Sequence, residues 1–225
     1  MESTRSAANA SGPSSALGFS KGVECILSRM CDVAAGELLR MLSIVGHGGI
    51  REDMLYPSLW AVGASSTSSV LAERRGDGKA KGNKKTRAAG RGAPNRVDLV
   101  LFHRGKVAKQ DAVMIEVKIA PTTTQNIQID GDQIARTCNA KPPESVNAAK
   151  VGSVLLAVMR VALGDIGKGG LDEDKKLCRA RLPAELEDKQ FIAFARFHGQ
   201  SCRTFAVVLR LDSDSKPNKV KNAAK

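Results

Sequence analysis

Two stretches decide the fold: VDLVLF at Val97–Phe102 and AVMIEVKIA at Ala112–Ala120. Both are apolar and β-branched, and Arg104-Gly105-Lys106 between them has turn chemistry, so they predict a β-hairpin. Each strand nevertheless carries charge in its apolar run: Asp98 in the first, Glu116 and Lys118 in the second. Side chains alternate along a strand, so Glu116 and Lys118 leave one face while Ile115, Val117 and Ile119 point to the other, into a core. A buried carboxylate without a partner is strongly unfavourable, so such residues are normally paired or hold a metal.

The register of the hairpin decides which acids meet. A loop centred on Val107 puts Asp98 opposite Glu116, with side chains about 5 Å apart. A turn at Arg104-Gly105 instead puts Asp98 opposite Asp111. In the first register two like charges share a site, which requires a proton or a divalent cation between them. Two carboxylates and a lysine suit phosphodiester hydrolysis. Mg²⁺ takes oxygen ligands, lowers the pKa of a bound water and neutralises the developing charge, and a lysine orients that water.

Working outward, apolar positions from Phe19 to Val45 recur at helical spacing, and Gly46-His47-Gly48-Gly49 ends that helix. Ile50–Ala64 predicts a second helical segment, with Pro57 in its first turn or kinking it. Asp130–Asn139 predicts a helix capped by Asp130 or Asp132. Val151–Val161 is a buried strand or a short buried helix, and Phe191–Phe197 and Thr204–Leu211 are further strands. The order predicts an α/β or α+β layer fold with a mixed sheet. Residues 1–18 read as a flexible tail, 19–212 as a single domain, and 213–225 as a basic tail.

Asp98 followed by Glu116-Val117-Lys118 on the partner strand resembles the PD-(D/E)XK, or restriction-endonuclease-like, nuclease superfamily. The resemblance covers residues 50–140 best. An acid on a preceding helix completes that pattern, and Glu52 in REDMLYPSL is the match, ahead of Asp53 and Glu24. Gln133 in GDQIAR stands where a polar helix residue often lies near the site. Pro94 lies four residues ahead of Asp98, so the motif's proline is displaced. The resemblance implies an α/β fold, a central mixed β-sheet flanked by helices, with Mg²⁺ dependence and cleavage that leaves a 5′-phosphate. It implies metal binding by Asp98, Glu116 and the Val117 carbonyl, water positioning by Lys118, and assistance from Glu52.

Composition bounds the partners. The chain has 225 residues, 42% hydrophobic, enough for one buried core. Lys and Arg number 35 against 23 Asp and Glu, a net charge of +12, which favours a polyanionic partner. Residues 74–96 hold nine lysines and arginines against the single acid Asp77, with glycines at 76, 78, 82, 90 and 92, and read as a mobile loop. Its Lys79, Lys81, Lys84, Lys85, Arg87, Arg91 and Arg96 are the expected phosphate contacts. The bland alternative is a solubilising loop. Arg160, closing the VLLAVM run, is within the same choice between phosphate contact and an ordinary strand end, while His47 and His103 are expected to be solvent-exposed. Few aromatics (six Phe, one Trp, one Tyr) argue for duplex rather than single-strand binding.

Other classes drop out. No apolar run is long enough for a spanning helix, no amphipathic basic helix suggests a membrane surface, and residues 1–19 lack an apolar signal region. Five scattered cysteines and three histidines give no zinc pattern and fit reduced thiols in a cytoplasm. No ATP-binding or serine-hydrolase motif is present. The expectation is a Mg²⁺-dependent endonuclease of double-stranded DNA, a type II restriction enzyme by preference, acting as a homodimer. A junction resolvase, a phage nuclease and an RNA-directed nuclease remain alternatives. So does a non-catalytic nucleic-acid-binding protein that uses the basic loop and tail.

Overall fold

A computed structural model describes residues 19–64, 68–74, 97–104, 110–142, 148–165 and 170–212. Both tails and almost all of the basic loop therefore lie outside the described residues, as do all seven of its expected phosphate contacts, Lys79 to Arg96.

Helix α1 (Lys21–Val45) begins at Ser20, whose side chain accepts from the Val23 amide, and stops at Gly46. Gly46 has φ +71°, a left-handed conformation that glycine adopts without a side-chain penalty. A 3₁₀ turn at His47–Gly49 and a second at Glu52–Leu55 lead into α2 (Tyr56–Ala64). Pro57 is therefore the second residue of α2, where its missing N–H has no helical partner to lose. The strands are β1 (Ser68–Arg74), β2 (Val97–Arg104), β3 (Gln110–Ala120), β4 (Ala148–Ala162), β5 (Phe191–His198) and β6 (Cys202–Arg210). Between them lie α3 (Gly131–Asn139), capped by Asp130, and α4 (Leu171–Arg179).

The six strands form one sheet in the order β1-β2-β3-β4-β6-β5. Only β3 and β4 run parallel, so the sheet is mixed, and α3 lies in the crossover that a parallel pair requires. One face packs on α1 and α2: Leu99, Leu101, Val113, Ile115, Val117, Leu156 and Val208 meet Ile26, Met30, Leu38 and Leu59. On the opposite face, Leu155, Met159, Phe205 and Val207 meet Ile127, Cys178 and Leu186, while Val100, Phe102 and Met114 pack with Ala140. The central strands are covered on both faces, which is why they read as continuous apolar runs. The chain is thus α/β, with a mixed sheet flanked by helices. All five cysteines are free, and among the described residues no helix is long and apolar enough to cross a membrane.

Several expectations are corrected or sharpened. Val151–Val161 is a strand, β4, because Phe205 and its neighbours on β6 and the helices on both faces leave it an interior position. Strand β1 and helix α4 have no counterpart in the sequence reading, and Arg74, read as the start of the loop, ends β1. The β2–β3 ladder runs from Leu99↔Ile115 to Arg104↔Gln110, the register centred on residue 107. Asp111 pairs with His103, so the alternative Asp98–Asp111 pairing does not form. His103 is half-buried rather than exposed, with its ring lying against Gly22 of α1.

Candidate active site

The charged residues of β2 and β3 meet at the end of the sheet where the turn Glu52–Leu55 and the first residue of α2 arrive. Glu116 and Lys118 are 7% and 8% exposed, so neither is a water-facing residue of an edge strand. They leave the face opposite α1, as their alternation with Ile115 and Val117 requires. Lys118 Nζ lies 3.0 Å from Glu116 Oε1 and 3.1 Å from Glu52 Oε2, so one ammonium joins two carboxylates. Glu52, expected on a helix, instead sits on the 3₁₀ turn just before α2.

Asp98 is held at both oxygens. The Tyr56 hydroxyl donates to Oδ1 at 2.6 Å, and the Val117 amide donates to Oδ2 at 2.7 Å. Val117 therefore enters the site through its N–H, while its side chain lies in the core. On the far side of Glu116, Thr137 of α3 is buried, with Oγ1 3.4 Å from Glu116 Oε2 and donating to the Gln133 carbonyl at 2.9 Å. Ser153 of β4 donates to the Thr137 carbonyl, fixing α3 over the sheet at this point.

The electrostatics follow from this packing. Burial, reinforced by the nearby Asp98 charge, raises the Glu116 carboxyl above the ordinary range even though Lys118 pulls the other way. Burial works against the Lys118 charge, but Glu116, Glu52 and Asp98 outweigh it and hold the ammonium above the usual lysine value. Burial and the hydrogen bond to Asp98 raise the Tyr56 hydroxyl far above the normal phenol range, so it stays a donor.

Gln133 does not reach the acids. Its side chain accepts from the Asp130 amide while its own amide binds Asp130 Oδ1, a reciprocal cap at the start of α3. Asp53 pairs with Arg51 at 2.8 Å on the exposed side of the turn. Tyr56 and Thr137 are the site residues absent from the sequence reading. Tyr56 lies in the same REDMLYPSL stretch as Glu52, and Thr137 lies one turn after Gln133 on α3.

Among the described residues, no three of His, Cys, Asp and Glu are arranged as a ready metal cage. The chemistry of the donors still fits a hard cation. Asp98, Glu116 and Glu52 set three carboxylates against the single ammonium of Lys118, leaving a net deficit of two charges that one divalent ion balances. Each carboxylate oxygen keeps a lone pair beyond the hydrogen bond that it accepts. Asp98 and Glu116 are the residues that would hold such an ion.

No family model matches the chain, and neither the curated proteins nor the solved structures compared with it give a match.

Proposed function

We propose that this chain is a metal-dependent nuclease that hydrolyses phosphodiester bonds in double-stranded DNA. The observation that carries the reading is the convergence of Asp98, Glu116, Lys118 and Glu52, from two strands and a distant turn, on one partly buried site. A structural ion pair needs one acid for one lysine. Here the acids exceed the cation, and burial beside Asp98 raises the Glu116 carboxyl above its ordinary range.

In this reading Asp98 and Glu116 would hold Mg²⁺, which would make the attacking water more acidic and offset charge on the phosphate. The Tyr56 hydroxyl and Val117 amide fix the Asp98 carboxylate, so its orientation does not depend on the ion. Lys118 is protonated in the resting site and so acts as a donor, orienting the attacking water and facing the developing negative charge. Water oxygen bonds to phosphorus as the bond to the 3′ oxygen breaks, leaving a 5′-phosphate and a 3′-hydroxyl. The Val117 carbonyl is an additional ligand by resemblance. The basic segment containing Lys79, Lys81, Lys84, Lys85, Arg87, Arg91 and Arg96 supplies backbone contacts. A type II restriction enzyme, cytoplasmic and acting as a homodimer with one site per strand, is the form that this reading favours.

Plasmid cleavage with and without Mg²⁺ tests it, using wild type beside Asp98→Ala and Lys118→Ala, with DNA binding followed in Ca²⁺. Discrete cleavage by wild type only with metal, and variants that bind without cutting, is the expected result. Folded wild type that binds duplex but does not cut it with any divalent metal sinks the nuclease reading and leaves a binding protein.

A further inference from the structure

Arg160, on β4, is incompletely satisfied by the folded chain. Its buried Nε has no hydrogen-bond partner among the described residues. Its Nη1 lies 3.0 Å from Nδ1 and 2.9 Å from Nε2 of His47. The exposed His47 ring is thus the side chain that Arg160 Nη1 meets, and it brings no formal negative charge to the guanidinium. No carboxylate among the described residues pairs with this guanidinium, although Asp174, Asp212 and Glu37 each engage an arginine elsewhere. A guanidinium has five donors in a planar fork that matches phosphate oxygens, and a half-buried arginine with no acid beside it is suited to that anion.

The Arg160 side chain leaves the α1 face of the sheet, with Leu156 and Val158, whereas Lys118 leaves the other face, and the two positions meet only at the same end of the sheet. The β3–β4 ladder ends at Ala120↔Met159, and Arg160 is the next residue. Lys118 pairs with Ala157, so strand spacing and rise put the Cα atoms of Lys118 and Arg160 about 11 Å apart at the same end of the sheet. His47 belongs to the connection between α1 and α2, which also carries Glu52. Resting on the nuclease reading, we infer that Arg160, lying on His47, is a subsite for a backbone phosphate of duplex DNA a few nucleotides from the scissile one. Arg160 is a binding residue there and takes no part in the chemistry.

Salt dependence tests this without catalysis. Binding of a 30-base-pair duplex in Ca²⁺ is followed by fluorescence anisotropy over a range of salt concentrations. Each phosphate contact contributes about 0.9 to the slope of log affinity against log salt. Arg160→Gln is expected to reduce the slope by about that amount, whereas Arg160→Lys keeps it because the charge remains. His47→Asp, at an exposed turn position, offers the guanidinium an internal acid and is expected to reduce the slope likewise. A wild-type slope in either Arg160→Gln or His47→Asp overturns the subsite, as does an equal loss in Arg160→Lys. If Mg²⁺ cleavage fails while the slopes change as expected, the nuclease reading falls and the phosphate subsite stands. Wild type that does not bind duplex at all removes both.

Discussion

The Tyr56 hydroxyl donates to Asp98 Oδ1 at 2.6 Å across 42 positions of chain, tying the start of α2 to the first residues of β2. With the Val117 amide on Oδ2, this leaves Asp98 one defined orientation. Removing only the hydroxyl, in Tyr56→Phe, keeps the ring that packs on the α1 core. The expected result is a folded protein whose Mn²⁺ affinity falls about 10- to 100-fold, the range for losing a hydrogen-bond partner of a metal ligand. Titration with Mn²⁺ followed by electron paramagnetic resonance checks it. Unchanged affinity would show that Tyr56 has no bearing on metal binding by Asp98.

Glu116 makes a prediction about pH. Its folded carboxyl is raised above the unfolded value, so it binds its proton more tightly when folded. That contribution to stability is fully present below the ordinary glutamate pKa and is lost as pH rises through the folded value. Glu116→Gln removes the titration while keeping most of the shape. Its melting temperature relative to wild type is expected to climb across that window, from about pH 4 upward. Adding Mg²⁺ is expected to raise the wild-type melting temperature and leave Glu116→Gln nearly unchanged. Parallel pH-dependent curves for the two proteins would contradict the assignment.

Lys118 has the opposite role. Removing it in Lys118→Met leaves Glu116 buried without its cation, and Glu52 without its partner. The expected loss is about 2–3 kcal/mol near neutral pH, shrinking as the medium becomes acidic enough to protonate Glu116. In wild type, the stability that Lys118 itself contributes is fully present below the ordinary lysine pKa and disappears as pH rises through its raised folded value. Urea unfolding at several pH values separates these two trends.

Away from the site, Asp174 on α4 is buried and receives Arg196 at 2.6 Å and Arg203 at 3.5 Å, which fixes the helix to β5 and β6. Asp174→Ala leaves two guanidinium groups facing a cavity. A loss of about 2 kcal/mol in urea unfolding is expected, below the value for a fully buried pair because both arginines reach solvent. Duplex binding in Ca²⁺ should be unaffected in the folded fraction.

What the sequence makes legible is set by how local each signal is. The β2–β3 hairpin and its charged residues are legible because two apolar strands with buried charge have few innocent explanations. The register is not local. It follows from where α1 and the helices on the other face place Leu99, Ile115 and Val117. Strand β1 escapes a periodicity search because only Val70, Leu71 and Ala72 are apolar, beside a lysine- and glycine-rich stretch. Helix α4 is mostly charged, and its identity comes from Cys178 and Asp174 packing inward rather than from a strong apolar stripe. Tyr56 and Thr137 act through partners far away in sequence. Only the fold brings the Tyr56 hydroxyl to Asp98 and the Thr137 hydroxyl to Glu116.

The ranking of the site residues gives the last prediction. Asp98 has a carboxylate oriented at both oxygens, whereas Glu52 meets the site only through Lys118 and is about one-third exposed. Lys118 keeps Glu116 at 3.0 Å when Glu52 is neutralised, so its charge and position survive. In Mg²⁺-dependent cleavage under single-turnover conditions, Glu52→Gln is therefore expected to slow the reaction on the order of 10-fold. Asp98→Asn, which on the proposed reading removes a carboxylate that would hold the ion while keeping its shape, should slow it by about 10³-fold or more, on the order of losing a principal electrostatic contact. Raising Mg²⁺ should recover part of the rate in Asp98→Asn and none in Glu52→Gln, because only the first deficit lies in holding the ion. Equal losses in the two variants would place Glu52 among the metal ligands and overturn this order.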